Sequence, residues 1–179
     1  MGSSFDGRST VPGHIPTSWH RPKRVTVVWL ALVTLVYAGF LLLAAPEQGI
    51  LDARVFYGPD DIRELLTRQG EEGRAAYMAA ALADLGFIVV YSILFVTWVR
   101  FLRVRYALPR KLPGIIGVLP GVFDLVETGS ILLLLRAYPD QPLEPTWAAV
   151  ITTPLKWLAA VGLVALVVRG EVRLYKRRR

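Results

Sequence analysis

Four ionisable side chains lie inside stretches of this chain that are otherwise apolar enough to cross a membrane. They are Asp84, Asp124, Glu127 and Lys156. An ionisable group near the centre of a bilayer costs at least about 2.5–3.5 kcal/mol on insertion scales. Such a group normally faces the protein interior, pairs with another group and marks a site or a pathway. These four residues are therefore the first candidates for binding or acid–base chemistry.

The spacing of these groups predicts that they share one layer of a helical bundle. Because a helix rises about 1.5 Å per residue, Glu127 and Lys156 lie level, each about nine residues into its apolar stretch, and we expect an ion pair between them. Asp124 stands three residues before Glu127 on the same helical face, which is compatible with a carboxylate pair in which one proton is shared or one pKa is raised. Asp84 enters the same layer from a different helix.

Hydroxyl groups at neighbouring positions suggest that this layer borders a polar cavity. Tyr91 lies about two turns beyond Asp84, and Thr128 follows Glu127. Taken singly, each hydroxyl fits a helix-to-helix hydrogen bond equally well, and the Glu127–Lys156 pair equally fits a structural role that fixes helix register. The candidate catalytic residues are Asp84, Asp124 and Glu127, and the candidate ligand-binding residues are Tyr91, Thr128 and Lys156.

The elements that carry these residues are four long apolar segments. Of the 179 residues, 54% are hydrophobic, and the mean hydropathy is +0.44, which is more apolar surface than a soluble domain of this size buries. We therefore expect an all-α fold, a polytopic bundle of four transmembrane helices. The predicted spans are 25–45, 77–99, 114–135 and 147–168. The first has the length of a membrane helix rather than of a signal-peptide core, so we expect it to be retained.

The segments between and around the spans have distinct compositions. Residues 1–24 are rich in Gly, Ser, Pro and Thr and are predicted to be a disordered tail, whereas residues 169–179 form a basic tail. Within the first loop, Pro59-Asp60-Asp61 followed by apolar residues at helical spacing predicts a short amphipathic helix at 59–69. It is either a lid over one mouth of the bundle or a solvated connector.

Two further patterns concern the surfaces of the spans. Gly114, Gly117 and Gly121 predict a small-residue face for close helix packing, and Pro120 predicts a kink one turn before Asp124. Aromatic side chains near the ends of the spans predict interfacial belts; they are Trp29, Trp98, Trp147, Tyr77 and Tyr138.

The charge distribution predicts the topology. The formal net charge is +7 and the pI is about 10.0, but the basic residues collect in short segments beside the apolar runs rather than in a nucleic-acid-binding motif, so no nucleic-acid partner is expected. Lys and Arg are concentrated in the N-terminal tail, the second loop and the C-terminal tail, whereas acids dilute the arginines of the first loop. The positive-inside rule then places both termini in the cytoplasm.

The residue types also limit the chemistry. The chain contains no cysteine, and its two histidines, His14 and His20, lie in the N-terminal tail. We therefore expect no cofactor and no metal. The sequence has no glycine-rich phosphate loop and no nucleophile elbow, which argues against ATP-driven transport and serine hydrolysis.

The arrangement resembles that of the EXPERA-domain family. The shared features are four spans with cytoplasmic ends, an extended first loop with an amphipathic segment, acids in the second and third spans, Tyr91 after the first acid, and a basic tail. The resemblance implies a cavity for a sterol-like or cationic amphiphilic ligand, with Asp84 and Glu127 as the residues carried over. Sterol isomerases of that family also use histidine, which the spans lack.

A second resemblance is to small four-span microbial membrane proteins, which are mostly uncharacterised. Three segments carry it: Gly70-Glu71-Glu72-Gly73-Arg74, Asp124-Leu125-Val126-Glu127 and Thr153-Pro154-Leu155-Lys156. This similarity implies no particular activity.

Two classes of function remain open. In the first, an intramembrane acidic cavity binds a lipophilic small molecule, a sterol, an isoprenoid or an amphiphilic amine, or acts on it by carboxylate acid–base chemistry as an isomerase or cyclase. In the second, the chain is a proton-coupled small transporter or an accessory subunit whose charge layer fixes assembly. Four spans are few for a transporter, and a homodimer could suffice. In both classes the chain lies in a lipid bilayer.

Overall fold

The computed structural model describes residues 23–44, 49–106 and 112–176, and within these ranges the chain is all-α, as predicted. The predicted disordered tail falls almost wholly outside the described residues, since the first helix begins at Arg24. The α-helices are α1 (Arg24–Ala44), α2 (Pro59–Arg68), α3 (Gly70–Tyr106), α4 (Leu112–Ala137) and α5 (Leu143–Lys176), and a 3-10 turn covers Leu51–Ala53.

Four of these helices are long and apolar enough to cross a membrane, by length and composition. Their qualifying segments are Arg24–Leu43, Gly70–Arg103, Gly114–Ala137 and Leu143–Arg173. The four predicted spans fall on these helices, which extend further than predicted, most clearly at the start of α3 and at the end of α5. The helices therefore suggest a multi-pass membrane protein.

Helix α4 occupies the centre of the bundle, packed between α3 and α5, and α1 packs against α3. The close approach of α3 and α4 depends on two of the three predicted glycines. A Cβ at Gly117 would lie 2.7 Å from the Cα of Val96, and a Cβ at Gly121 would collide with Oγ of Ser92, whereas Gly114 has open space around it. The prediction of a small-residue face is confirmed for Gly117 and Gly121 and is wrong for Gly114.

Helix α2 lies at the end of the bundle where α3 and α5 begin, which we call the α2 end. The Gly58 N–H donates a hydrogen bond to Asp61 Oδ2 at 2.6 Å, which caps the helix beside Pro59 in its first turn. Its apolar face buries Ile62 and Leu65 completely. Gly70, with a φ of +64°, makes the turn into α3.

The opposite end of the bundle, which we call the far end, is held by an apolar cluster. Its buried members come from α1, α3 and α5: Val27, Leu94, Val99, Phe101, Leu102, Leu163 and Val167. The outer faces of the long helices are also apolar, with Leu43, Val36 and Leu158 exposed by 89%, 74% and 71%. Such faces suit a lipid environment rather than water.

Candidate functional site

Lys156 on α5 is the centre of the ionisable layer. Its Nζ lies 2.6 Å from Glu127 Oε2 and 3.0 Å from Asp124 Oδ1, so the predicted Glu127–Lys156 ion pair is confirmed. Asp124 and Glu127 share the lysine as a common partner. Glu127 is 0% exposed, and Asp124 and Lys156 are each 7% exposed, so the ion pairs are screened little by solvent.

Glu127 is further satisfied by two hydroxyl groups. Thr153 Oγ1 donates to Glu127 Oε1 at 2.6 Å, and Tyr57 Oη donates to the same oxygen at 3.0 Å. Tyr57 comes from the segment before α2, 70 residues away in sequence. With Lys156 on its other oxygen, Glu127 is completely enclosed by protein groups.

Two of the predicted ligand-binding residues join α3 and α4 through the acids. Tyr91 Oη donates to Asp124 Oδ2 at 2.8 Å, and Thr128 Oγ1 donates to Asp84 Oδ2 at 3.0 Å. Each acid is thus held by a hydroxyl of the neighbouring helix, which fixes the orientation of its carboxylate.

The site also contains Asp52, a residue that the sequence analysis missed. The 3-10 turn Leu51–Ala53 enters the α2 end of the bundle, where Tyr77 Oη donates to Asp52 Oδ2 at 2.9 Å and accepts from the Leu51 N–H at 2.9 Å. Lys156 Nζ donates to the Asp52 carbonyl oxygen at 3.2 Å. The sequence feature that could have indicated a buried Asp52 is the apolar pair Ile50-Leu51 beside it, within a loop rich in charged residues.

Tyr77 does not have the role predicted for it. It is 0% exposed and contributes to the core cluster at the α2 end, so its assignment to an interfacial belt was wrong. The residue falls at the start of the predicted span, but α3 begins at Gly70, so Tyr77 already lies two turns inside the helix.

The two site residues from the first loop, Asp52 and Tyr57, both have raised pKa values. Burial raises the pKa of the Asp52 carboxyl above its ordinary value, against the opposing attraction of Lys156. Burial also raises the pKa of the Tyr57 hydroxyl, and the negative charge of Glu127 raises it further. Tyr57 therefore remains a hydrogen-bond donor to Glu127.

A cavity of about 510 Å³ lies against this layer, bounded by α1, α3, α4, α5 and the 3-10 turn. One wall carries a row of aromatic rings in edge contact, with centroids 5.2 Å apart for Phe87 and Tyr91 and 5.7 Å apart for Tyr91 and Phe95. The polar groups of the lining are concentrated in a few residues: Thr34, Asp52, Asp84, Tyr91, Asp124, Lys156 and Trp157. Glu127 and Thr128 lie behind this surface.

Helix α1 closes one side of the cavity by packing along α3, and one hydrogen bond joins the two helices near the site. Tyr37 Oη donates to the Ala83 carbonyl oxygen at 2.8 Å. A Cβ at Gly86 would lie 2.7 Å from this hydroxyl oxygen, so a larger residue there would displace the tyrosine hydroxyl. The α1 residues of the cavity wall are mostly apolar: Thr34, Ala38, Leu41 and Leu42.

The structure thus brings together all six residues singled out in the sequence, but in different positions. Asp84, Asp124, Tyr91 and Lys156 border the cavity, where a ligand can reach them. Glu127 and Thr128 hold these groups from behind and are both 0% exposed.

Comparison of the chain with known protein families, with curated proteins and with solved structures finds no match. The site itself therefore carries the functional argument.

Proposed function

We propose that this chain is an integral membrane protein whose cavity binds a lipophilic small molecule, with both termini in the cytoplasm and the α2 end on the other side. Four long apolar helices support the first part. Basic residues of the described ranges gather at the far end, which supports the orientation through the positive-inside rule; they include Arg24, Arg100, Arg103, Arg169, Arg173 and Lys176.

The observation that carries the proposal is the cavity with apolar walls and a charged end. Its volume of about 510 Å³ lies within the roughly 300–1,000 Å³ typical of small-molecule sites. Phe87 and Phe95 line the apolar part, and Asp84, Asp124 and Lys156 border the polar part. This asymmetry suits an amphiphile such as a sterol, an isoprenoid or an amphiphilic amine, and the EXPERA resemblance suggests a sterol-like or cationic amphiphilic ligand.

The polar end offers Asp84 to the ligand before the other acids. The ion pairs of Lys156 involve Asp124 and Glu127, whereas the hydrogen bond described for Asp84 comes from the Thr128 hydroxyl. A ligand ammonium would pair with Asp84, and a ligand hydroxyl would donate to it. Acid–base chemistry on the ligand would likewise fall to Asp84 and Asp124, because Glu127 is 0% exposed.

The far end of the bundle favours binding over proton transport. The hydrogen-bonded groups of the layer run from Tyr57 through Glu127, Lys156 and Asp124 to Tyr91. Beyond Tyr91, the buried side chains of the described helices are aliphatic or aromatic from Leu94 onward, and the buried polar side chains of the described residues lie elsewhere. A proton path needs polar groups or water throughout, whereas a binding pocket needs only one polar end.

A cavity-filling substitution tests this proposal. Ala160 on α5 lines the cavity, so Ala160→Phe would occupy ligand space without removing a charge. Val161, its neighbour, is 63% exposed on the outer face, so Val161→Phe is the matched control. Native mass spectrometry with lipid extraction, on protein purified in mild detergent, would follow the bound molecule.

We expect the wild type and Val161→Phe to carry a specific lipophilic molecule that Ala160→Phe lacks. Bulk phospholipid alone, in equal amounts on all three proteins, would refute the proposal. The same measurement on Glu127→Gln would show whether ligand binding requires the charged layer as well as the cavity space.

A further inference from the structure

Three carboxylates from separate elements converge beside the cavity. Asp52 comes from the 3-10 turn, Asp84 from α3 and Asp124 from α4, and one oxygen of each lies within 4.8 Å of the others. Three atoms within this distance share a centre at most about 2.8 Å from each of them, and Ca²⁺–oxygen distances are about 2.3–2.6 Å. Small side-chain movements would therefore bring all three acids into contact with one Ca²⁺ ion.

Each of these carboxylates already has one oxygen fixed by a hydroxyl group. The donors are Tyr77 to Asp52 Oδ2, Thr128 to Asp84 Oδ2 and Tyr91 to Asp124 Oδ2, at 2.9, 3.0 and 2.8 Å. Hydrogen bonds of this kind orient the ligands of metal sites. They leave the second oxygen of Asp52 and of Asp84 for the ion, whereas Asp124 Oδ1 also contacts Lys156 Nζ at 3.0 Å and would be shared between the lysine and the ion.

An independent sign of a missing partner is the free oxygen of Asp52. Its Oδ1 is buried and has no hydrogen-bond partner among the described residues. Buried polar atoms are normally satisfied by protein groups, water or an ion. Lys156 does not reach this atom as a bonded partner, since its contact with Asp52 is to the backbone carbonyl.

The charge balance points the same way. Asp52, Asp84, Asp124 and Glu127 contribute up to four negative charges to the layer, against one positive charge from Lys156, which contacts Asp124 and Glu127. Unpaired charges are strongly unfavourable in a low-dielectric interior. A divalent cation between Asp52 and Asp84 would reduce the excess from three negative charges to one.

We propose that Asp52, Asp84 and Asp124 form a binding site for one hard divalent cation, Ca²⁺ in preference to Mg²⁺. Carboxylate oxygens are the ligands of hard cations. Ca²⁺ accepts long and irregular contacts, whereas Mg²⁺ requires near-octahedral geometry at about 2.0–2.1 Å. The expectation of no metal rested on missing cysteine and histidine, which does not apply to an all-oxygen site. The site shares Asp84 with the polar end of the cavity, so a cationic ligand there would compete with the ion, whereas a neutral ligand in the apolar part would not.

Calcium titration of the whole chain in detergent, after removal of metals with a chelator, tests the proposal. Equilibrium dialysis with radioactive Ca²⁺ should give one saturable site per chain, and the melting temperature should rise with Ca²⁺ and much less with Mg²⁺. Asp52→Asn and Asp84→Asn should each weaken Ca²⁺ binding by about tenfold or more. Asp60→Asn, an isosteric change at an exposed position of α2, is the matched control.

A second variant keeps the test decisive if an acid variant does not purify. Tyr77→Phe retains all three carboxylates but releases Asp52 Oδ2, and it should weaken Ca²⁺ binding by about tenfold. No saturable binding by the wild type at millimolar Ca²⁺ would overturn the proposal. So would a Ca²⁺ affinity that is the same in the wild type, Asp84→Asn and Tyr77→Phe.

Discussion

Removal of Lys156 should destabilise the bundle more than removal of either acid that it contacts. Lys156→Met leaves Asp124 and Glu127 buried without a cation, and breaking a buried ion pair in this way costs about 3–5 kcal/mol. Glu127→Gln is milder because Lys156 keeps Asp124 at 3.0 Å and the amide oxygen still accepts from Tyr57 and Thr153. Its cost comes from the amide NH2, which would face the Lys156 ammonium in place of Oε2. We expect about 1–3 kcal/mol for that change.

The pair should also be non-additive. In Glu127→Gln/Lys156→Met, residue 127 is neutral and needs no counter-charge. The double variant should therefore lose less unfolding free energy than the sum of the two single variants, by about 0.5–3 kcal/mol. Adding Asp124→Asn removes the last acid that Lys156 neutralised and should restore further stability. The free energy of unfolding would be measured in mixed micelles by tryptophan fluorescence.

An exposed ion pair on α2 provides the comparison. Arg68 and Glu64 lie 3.7 Å apart on the surface, where a pair contributes about 0–1 kcal/mol. Arg68→Met should therefore change the free energy of unfolding far less than Lys156→Met. Equal losses of unfolding free energy in Lys156→Met and Arg68→Met would show that the layer is not a coupled buried network. Fully additive losses in Glu127→Gln and Lys156→Met would show the same.

Two other predictions concern helix packing and topology. Gly117→Ala should destabilise the bundle by about 1–3 kcal/mol, because its Cβ would lie 2.7 Å from a backbone Cα of α3, whereas Gly114→Ala, with open space around it, should have little effect on thermal unfolding. Because the chain contains no cysteine, single cysteines report topology without background: in intact cells Thr67→Cys should react with an impermeant thiol reagent and Arg100→Cys should not, and the reverse pattern would invert the proposed orientation.

Hydropathy and depth were sufficient to predict the helices and the central ion pair. A membrane helix needs about 20 apolar residues, and four segments of the chain have such a run. The constant helical rise converts sequence position into depth. This is why Glu127 and Lys156 could be paired from two separate segments. The longer extents of α3 and α5 escaped prediction because their polar ends continue as helix beyond the apolar part.

The partners of the acids depend on tertiary contacts that spacing does not encode. Thr128 follows Glu127 in sequence, but consecutive residues point about 100° apart around a helix, so its hydroxyl faces Asp84 on α3 instead. Asp52 contacts Tyr77 and Lys156 across 25 and 104 residues, and a loop acid carries no periodicity that would reveal such contacts. The candidate site was therefore predicted in its position but not in its full membership.

The cavity ligand and the proposed Ca²⁺ ion meet at the same carboxylates, which gives a test of the ligand's charge. If the ligand is an amphiphilic amine, its ammonium and Ca²⁺ both require Asp84, so each must weaken the other's binding by the same factor. A neutral sterol lacks the charge and should leave the Ca²⁺ affinity unchanged.

Dodecylamine and cholesterol are suitable probes for this competition, with Ca²⁺ binding measured by dialysis at rising probe concentration. Dodecylamine should raise the apparent Kd for Ca²⁺ linearly with its free concentration, as a competitor does, and Ala160→Phe should abolish that effect while leaving the Ca²⁺ affinity in the absence of amine unchanged. This outcome requires the apolar walls to contact the alkyl chain of the amine and the acids to bind its ammonium group. An amine that binds in the cavity without affecting Ca²⁺ would separate the two sites, because one set of oxygens cannot neutralise two cations independently.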